Sequence, residues 1–242
     1  MPPDRTIPIL AVSSIVIGIC CIIGWIVFSC RRASADARAQ SIDNVYFFRP
    51  DKFSAMAVFA NNCAAITAEA AACLSTAPIS PYVRPYDKWV YSPEFISSMR
   101  DADGWIRTQD DVTRTINTNW LNYALMYRGV SFPNNAARCP HTTNIFRMMH
   151  NIINIGGFSL MRPRSKIAPH TDRTGLRDGS LAYHLGLIVP PKRCRLYVGA
   201  KWRYEKAGRA IVFDSNIVHH ADNTSQADRV ILYIDFLLVP RP

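Results

Sequence analysis

The chain has 242 residues, 49% of them hydrophobic, 11% aromatic and 19% charged, with a formal net charge of +10. This is the composition of a globular protein with room for one full hydrophobic core, and it excludes a disordered or fibrous chain. The Lys and Arg residues are scattered, without a basic stripe or a nucleic-acid motif, so the excess charge suits an anionic membrane surface and not a nucleic acid. The seven cysteines are odd in number, lack a Cys-x-x-Cys pair and include three in or beside one apolar stretch. That usage excludes a disulfide framework or a zinc site and fits a reducing compartment.

In chain order, Thr6 to Cys30 comes first, twenty-five residues without a charge. About twenty helical residues cross the hydrocarbon layer, and a signal peptide's apolar core is shorter, roughly 7–15 residues. The run ends at Cys30-Arg31-Arg32, a stop-transfer pattern, so residues 1–32 are expected to form a single-pass membrane anchor. Arg31, Arg32 and Arg38 outweigh Arg5, which predicts that the larger C-terminal part faces the cytosol. Residues 33–50 read as a polar linker, and residues 51–242 as the functional domain.

Phe53, Met56, Ala57, Ala60 and Ala64 recur at helical spacing, predicting a helix from about Asp51 to Leu74. Pro78, Pro81 and Pro85 then break the chain. A short helix is expected from Pro93. Asn119 to Arg128 reads as a strand closed by Gly129, and Cys139-Pro140 to Asn151 as a helix. From Ile152 onward, apolar runs at 152–161, 181–189, 194–198, 209–213 and 229–238 alternate with Gly, Pro and polar residues. Short strands with regular turn signals predict a mainly β domain, a jelly roll with its core at about 152–240 and helices before it.

All six histidines lie after residue 140. His170 and Asp172 flank Thr171 on one tight stretch, and His219 follows forty-nine residues later. Two imidazoles and one carboxylate on one face of an octahedron are the ligand set of non-haem Fe(II) oxygenases, with three positions left open. Arg229 lies ten residues beyond His219, at the start of a predicted strand. A fork-shaped guanidinium there suits the far carboxylate of 2-oxoglutarate. His219 and His220 are strand neighbours and point to opposite faces, so only one can be a ligand. Asp214 reads either as the acceptor for a ligand imidazole's second N–H or as a turn residue.

Ser159 to Asp235 resembles the aspartyl/asparaginyl β-hydroxylase family of Fe(II)/2-oxoglutarate dioxygenases. The residues that carry the resemblance are Pro-His-Thr-Asp-Arg at 169–173, Gly-Ser-Leu-Ala-Tyr-His-Leu-Gly-Leu at 179–187, Val-Phe-Asp at 212–214, His-His-Ala-Asp-Asn-Thr at 219–224 and Asp-Arg-Val-Ile-Leu at 228–232. The family includes a membrane-bound branch that hydroxylates lipid A acyl chains. The resemblance implies a double-stranded β-helix fold, with His170, Asp172 and His219 as iron ligands. It favours His219 over His220. It also implies Arg229 at the distal carboxylate of 2-oxoglutarate, Ser159 assisting it, His184 near the other end of the cosubstrate and Met161 lining the pocket. With O₂, such a site converts 2-oxoglutarate to succinate and CO₂ and hydroxylates an unactivated C–H. The family usually carries Arg two residues before the His184 position; this chain has Ala182, and Arg177 or Arg195 would have to replace that contact. Three functions follow: hydroxylation of the β-carbon of Asp or Asn in a protein, hydroxylation of a membrane lipid acyl chain, and a non-catalytic jelly-roll scaffold.

Overall fold

Eight strands of the C-terminal half fall into two facing antiparallel sheets, and consecutive strands mostly alternate between them. The computed structural model describes residues 46–84, 103–109, 115–172 and 179–241. The expected anchor at 1–32 and its orientation, most of the linker, the short helix at Pro93 and Arg177 lie outside those residues. Among the described residues no single helix is long and apolar enough to cross a membrane.

Strands β1 (Phe47–Phe48), β2 (Ile79–Arg84), β3 (Trp105–Gln109), β4 (Ile116–Tyr127) and β5 (Val130–Ser131) precede the jelly roll. The jelly roll itself is β6 (Ile153–Met161), β7 (Ser165–His170), β8 (Ser180–Ile188), β9 (Cys194–Val198), β10 (Lys201–Tyr204), β11 (Ala210–Phe213), β12 (His219–Asn223) and β13 (Arg229–Leu237). The large sheet runs β1-β11-β8-β13-β6-β4-β3-β2, with β5 paired to β4, and the small sheet runs β10-β9-β12-β7. Orders 11-8-13-6 and 10-9-12-7 are those of an eight-stranded jelly roll.

The five apolar runs became β6, β8, β9, β11 and β13, close to their predicted bounds. The strands missing from the prediction, β7, β10 and β12, form the small sheet with β9. They are short and half solvated, so polar residues interrupt their alternation. The break expected around Pro81 is instead strand β2. It is the last strand of its sheet, paired only through β3, with an irregularity in register between Ile79 and Val83. Proline is tolerated there because an edge strand need not donate on its free side. Phe47–Phe48, at the end of the expected linker, pairs with β11. The strand predicted to close at Gly129 does so in a two-residue turn, with Arg128 and Gly129 both at positive φ.

The helix predicted from Asp51 begins as two 3-10 turns, Pro50–Lys52 and Ser54–Met56, and continues as α1 (Ala57–Asn61) and α2 (Cys63–Thr76). Asn62 interrupts it, its side-chain amide donating to the Val58 carbonyl at 2.8 Å. Helices α3 (Pro133–Arg138) and α4 (Pro140–Met148) follow β5. Glu69 of α2 caps α4: its carboxylate accepts from the backbone N–H of His141 (2.7 Å) and Thr142 (2.9 Å), placing negative charge at a helix N-terminus. The helices cover one face of the large sheet through Met56, Phe59, Ile66, Cys73, Phe146, Tyr183 and Leu185. The other face meets the small sheet over a second core of Met161, Ala182, Ile211, Phe213, Ile167, Leu196, Val198 and Ala221. Alternation along the strands therefore divides them cleanly: Tyr183 and Leu185 face the helices, while Ala182 and His184 face the jelly-roll interior.

Candidate active site

The rim of that second core gathers His170, Asp172 and His219, whose candidate ligand atoms all lie within 4.8 Å of one another. Strand pairing dictates the meeting, because His219 at the start of β12 is directly opposite His170 at the end of β7. Between this pair and Ala221–Ile167 the register shifts by one residue on β7. Pro169 sits in the shifted stretch and has no N–H to give the ladder, and such a bulge re-aims the neighbouring side chain.

Each imidazole is fixed through its Nδ1 atom. His170 Nδ1 is 2.8 Å from the Ala168 carbonyl and His219 Nδ1 is 2.9 Å from the Ile217 carbonyl. A carbonyl only accepts, so each Nδ1 carries a hydrogen, the tautomer that leaves Nε2 as the ligating nitrogen of a neutral ring. The two Nε2 atoms lie 3.9 and 3.8 Å from the Asp172 carboxylate oxygens. Burial, followed by the proximity of His170, pushes His219 down to about 4, so it is neutral at physiological pH. Asp172 is held through its backbone and its carboxylate. Its N–H donates to the Ser215 carbonyl (3.0 Å), and the Tyr233 hydroxyl donates to its Oδ2 (3.0 Å). Trp120 and Phe213 flank the imidazoles, with ring centroids 5.8 Å from His170 and 5.2 Å from His219. Iron fits this donor set: two imidazole nitrogens and one carboxylate oxygen converge from one side, and each imidazole's Nδ1 already has its carbonyl partner.

Of the adjacent histidines, His219 is 5% exposed and faces the interior. His220 points outward and stacks on Tyr197, rings 4.3 Å apart and 6° from parallel. Asp214 takes the turn reading, accepting from the Asn216 N–H at 3.0 Å. Arg195 also lies on the outer face, paired with Asp222 at 2.7 Å.

The residues expected to hold the cosubstrate are arranged differently. Arg229 is 1% exposed and, among the described residues, the largest fully buried side chain. Its guanidinium grips Glu205 with both arms, Nε donating to Oε2 at 2.6 Å and a terminal N–H donating to Oε1. His184 Nδ1 lies 3.0 Å from the same Oε1. Burial raises Glu205, but the Arg229 charge and the two partners' hydrogen bonds outweigh it and hold the carboxyl at about 2. Glu205 is thus an anion, and His184, pushed down chiefly by burial, is a neutral donor to it. Ser159 accepts from the Trp120 indole N–H at 3.2 Å, and Met161 is fully buried opposite Arg229 on β6.

Sequence reasoning missed Glu205. It lies in a polar stretch, Lys-Trp-Arg-Tyr-Glu-Lys at 201–206, where an isolated acid reads as surface. A usable signal was Gly186 in the His-Leu-Gly-Leu run. A Cβ there would stand 2.2 Å from the Lys206 carbonyl oxygen. Its absence lets residues 205–208 cross over β8, with Ala207 bridged to Gly186 and Gly208 N–H donating to the Gly186 carbonyl at 2.9 Å. That crossing delivers Glu205 to the interior. The groups form one continuous network: Arg229 to Glu205 to His184, then across Phe213 and Tyr233 at 5.0 and 5.6 Å to His219 and Asp172.

A jelly roll with two histidines and a carboxylate at one rim defines a candidate non-haem metal protein. Comparison with known sequences is more specific. Residues 92–238 match the model for aspartyl/asparaginyl beta-hydroxylase, and the chain belongs to that family. It is similar to an aspartate beta-hydroxylase domain-containing protein of Xenopus tropicalis, at 29% identity over 51% of this chain and 35% of the relative. It is also similar to an ornithine lipid ester-linked acyl 2-hydroxylase of Rhizobium tropici, at 29% identity over 53% of this chain and 45% of the relative. The chain thus spans less than half the length of these two curated relatives. A solved oxidoreductase of the 2OG-Fe(II) oxygenase family from Burkholderia pseudomallei overlaps 60% of this chain and 78% of its own, at 12% identity and a TM-score of 0.41.

Proposed function

We propose that this chain is an iron- and 2-oxoglutarate-dependent hydroxylase of an unactivated C–H, with the β-carbon of an Asp or Asn side chain in a protein as its target. One observation carries the reading: the inward convergence of His170 Nε2, His219 Nε2 and the Asp172 carboxylate. Iron with 2-oxoglutarate and O₂ supplies the oxidising chemistry. The chain supplies position. His170 and His219 present fixed lone pairs, Tyr233 orients Asp172, and the rings of Trp120 and Phe213 wall the site against water.

A lipid acyl chain is the second reading, favoured by the uncharged run from Thr6 to Cys30 and the net charge of +10. On this reading the chain is a single-pass membrane protein with its catalytic domain in the cytosol, and the ornithine-lipid hydroxylase relative supports it. Both are tested by incubating the purified chain with Fe(II), 2-oxoglutarate and O₂ and measuring succinate, then searching proteins and lipids by mass spectrometry for a gain of one oxygen. The expected outcome is iron-dependent succinate release that His170→Ala abolishes. Iron bound without succinate release would indicate a non-catalytic jelly roll instead, and release that survives His170→Ala would sink the site.

A further inference from the structure

The cation expected to receive the far carboxylate of 2-oxoglutarate is already holding a carboxylate. We propose that Glu205 is an internal stand-in for that carboxylate, and that a dicarboxylate binds at Arg229 only by displacing it. Glu205 thereby becomes a determinant of cosubstrate affinity and selectivity. The inference rests on the reading of the site given above.

Three observations carry it. The guanidinium fork is committed to Glu205 through two N–H groups, on side chains 1% and 2% exposed. An Arg fork binds one carboxylate bidentately on a given edge, so with Glu205 seated the Nε edge of Arg229 is taken. Second, Arg229 and His184, the two residues expected at opposite ends of the cosubstrate, converge on this one anion, and His184 reaches the same Oε1 as Arg229. Glu205 thus engages part of the contact set a bound dicarboxylate would use. Third, a second carboxylate beside Glu205 would be a buried like-charge pair needing a further cation. The inner-face position two residues before His184 offers only Ala182, packed against Met161 and Phe213.

Glu205 is mounted nearer a sheet edge than Arg229, with the residues after it tied to Gly186. Glu205 directly follows β10, the edge strand of the small sheet, whose four residues are all exposed. Its backbone is tied there by the Glu205 N–H donating to the Cys194 carbonyl at 3.0 Å. Arg229, by contrast, lies on a central strand paired on both sides. When the pair separates, the carboxylate moves and the guanidinium stays.

The test uses the full chain loaded with Mn(II), titrated calorimetrically with 2-oxoglutarate and with 2-oxobutyrate, which lacks the distal carboxylate. Glu205→Gln keeps the shape and removes the charge; Glu205→Ala removes the side chain. Both are expected to bind 2-oxoglutarate at least tenfold more tightly than the unmodified chain, with 2-oxobutyrate changed less than twofold. Circular dichroism establishes that each variant is folded. Equal or weaker binding of 2-oxoglutarate by folded Glu205→Gln overturns the proposal, as does an equal gain for both acids. Failure of the unmodified chain to bind Mn(II) would instead count against the metal site. Thermal-shift titration of the metal-free proteins with the same two acids then still decides the role of Glu205.

Discussion

Removing Glu205 should cost more stability than removing the whole ion pair. Glu205→Ala leaves the Arg229 guanidinium 1% exposed with its main counter-charge gone. Breaking a buried pair in this way costs about 3–5 kcal/mol, whereas replacing both partners by apolar side chains is often neutral or stabilising. For a chain of this size each kcal/mol moves Tm by about 2–4 °C, so the expected fall is roughly 6–20 °C. The depressed carboxyl points the same way. Glu205 is held at about 2 against an ordinary 4.5. A depressed carboxyl contributes stability that is fully present above about pH 4.5 and is lost as the pH falls towards 2. At about 1.36 kcal/mol per pH unit, that contribution is on the order of 3 kcal/mol. The assay is urea unfolding at pH 7 of the unmodified chain, Glu205→Leu, Arg229→Met and the double variant Arg229→Met/Glu205→Leu, closed as a cycle, with Glu205→Ala measured beside them. The double variant should lie well above the sum of the singles. A loss below about 1 kcal/mol for Glu205→Ala, or a strictly additive double, would refute the claim that the pair is buried and mutually dependent.

Other perturbations reach the metal face. Tyr233→Phe removes the 3.0 Å hydrogen bond to Asp172 Oδ2; Fe(II) affinity by competition titration should fall about 10- to 100-fold, the usual range for losing such an orienting group, with the fold intact by circular dichroism. Gly186→Ala would bring a methyl to 2.2 Å from the Lys206 carbonyl oxygen, so the 205–208 crossing must move. A loss of about 1–3 kcal/mol in urea unfolding is expected, and no loss would show that the crossing is not close. His219 is held near 4, chiefly by burial, against 6.5 unfolded. A histidine kept neutral by folding resists protonation, so the metal-free chain should lose stability as pH falls from about 6.5 to 4. His184 is shifted the same way. His219→Asn should flatten part of that acid limb in a Tm-versus-pH series.

Much of the large sheet was legible because its strands carry their own signal. β6, β8 and β13 are buried on both faces and read as continuous apolar runs at 152–161, 181–189 and 229–238. The small sheet was harder. His219 to Asn223 alternates interior and outer residues, but the interior ones include a histidine and an asparagine, so no hydrophobic period marks β12. The meeting of His170, Asp172 and His219 was legible for the opposite reason. Its chemistry needs specific residue types at close spacing, and His-x-Asp puts two of them on one short stretch. Fixing the third required strand geometry: alternation says that only one of His219 and His220 faces inward, and the structure turns His220 onto Tyr197. The Glu205 contact could not be read in this way, because it depends on a non-local crossing over Gly186.

Ala182 and Glu205 act on the same surface. Ala182 and His184 are two residues apart on β8 and share the interior face, which places them about 7 Å apart. His184 touches Glu205, and Glu205 touches Arg229. The resemblance implies an arginine at the 182 position where this chain has Ala182, and the buried Glu205 places an anion in the same interior. Arg229 is thereby offset within the protein, and His184 beside it is neutral. An anionic cosubstrate meets a face whose positive charge is already answered, not a vacant cationic pocket. Yet His170 and His219 keep both Nε2 positions turned to the candidate metal site, beside an oriented Asp172 carboxylate. The departure is therefore confined to the part of the site proposed to hold the cosubstrate, and on that proposal a change at Glu205 should alter cosubstrate affinity before it alters metal binding.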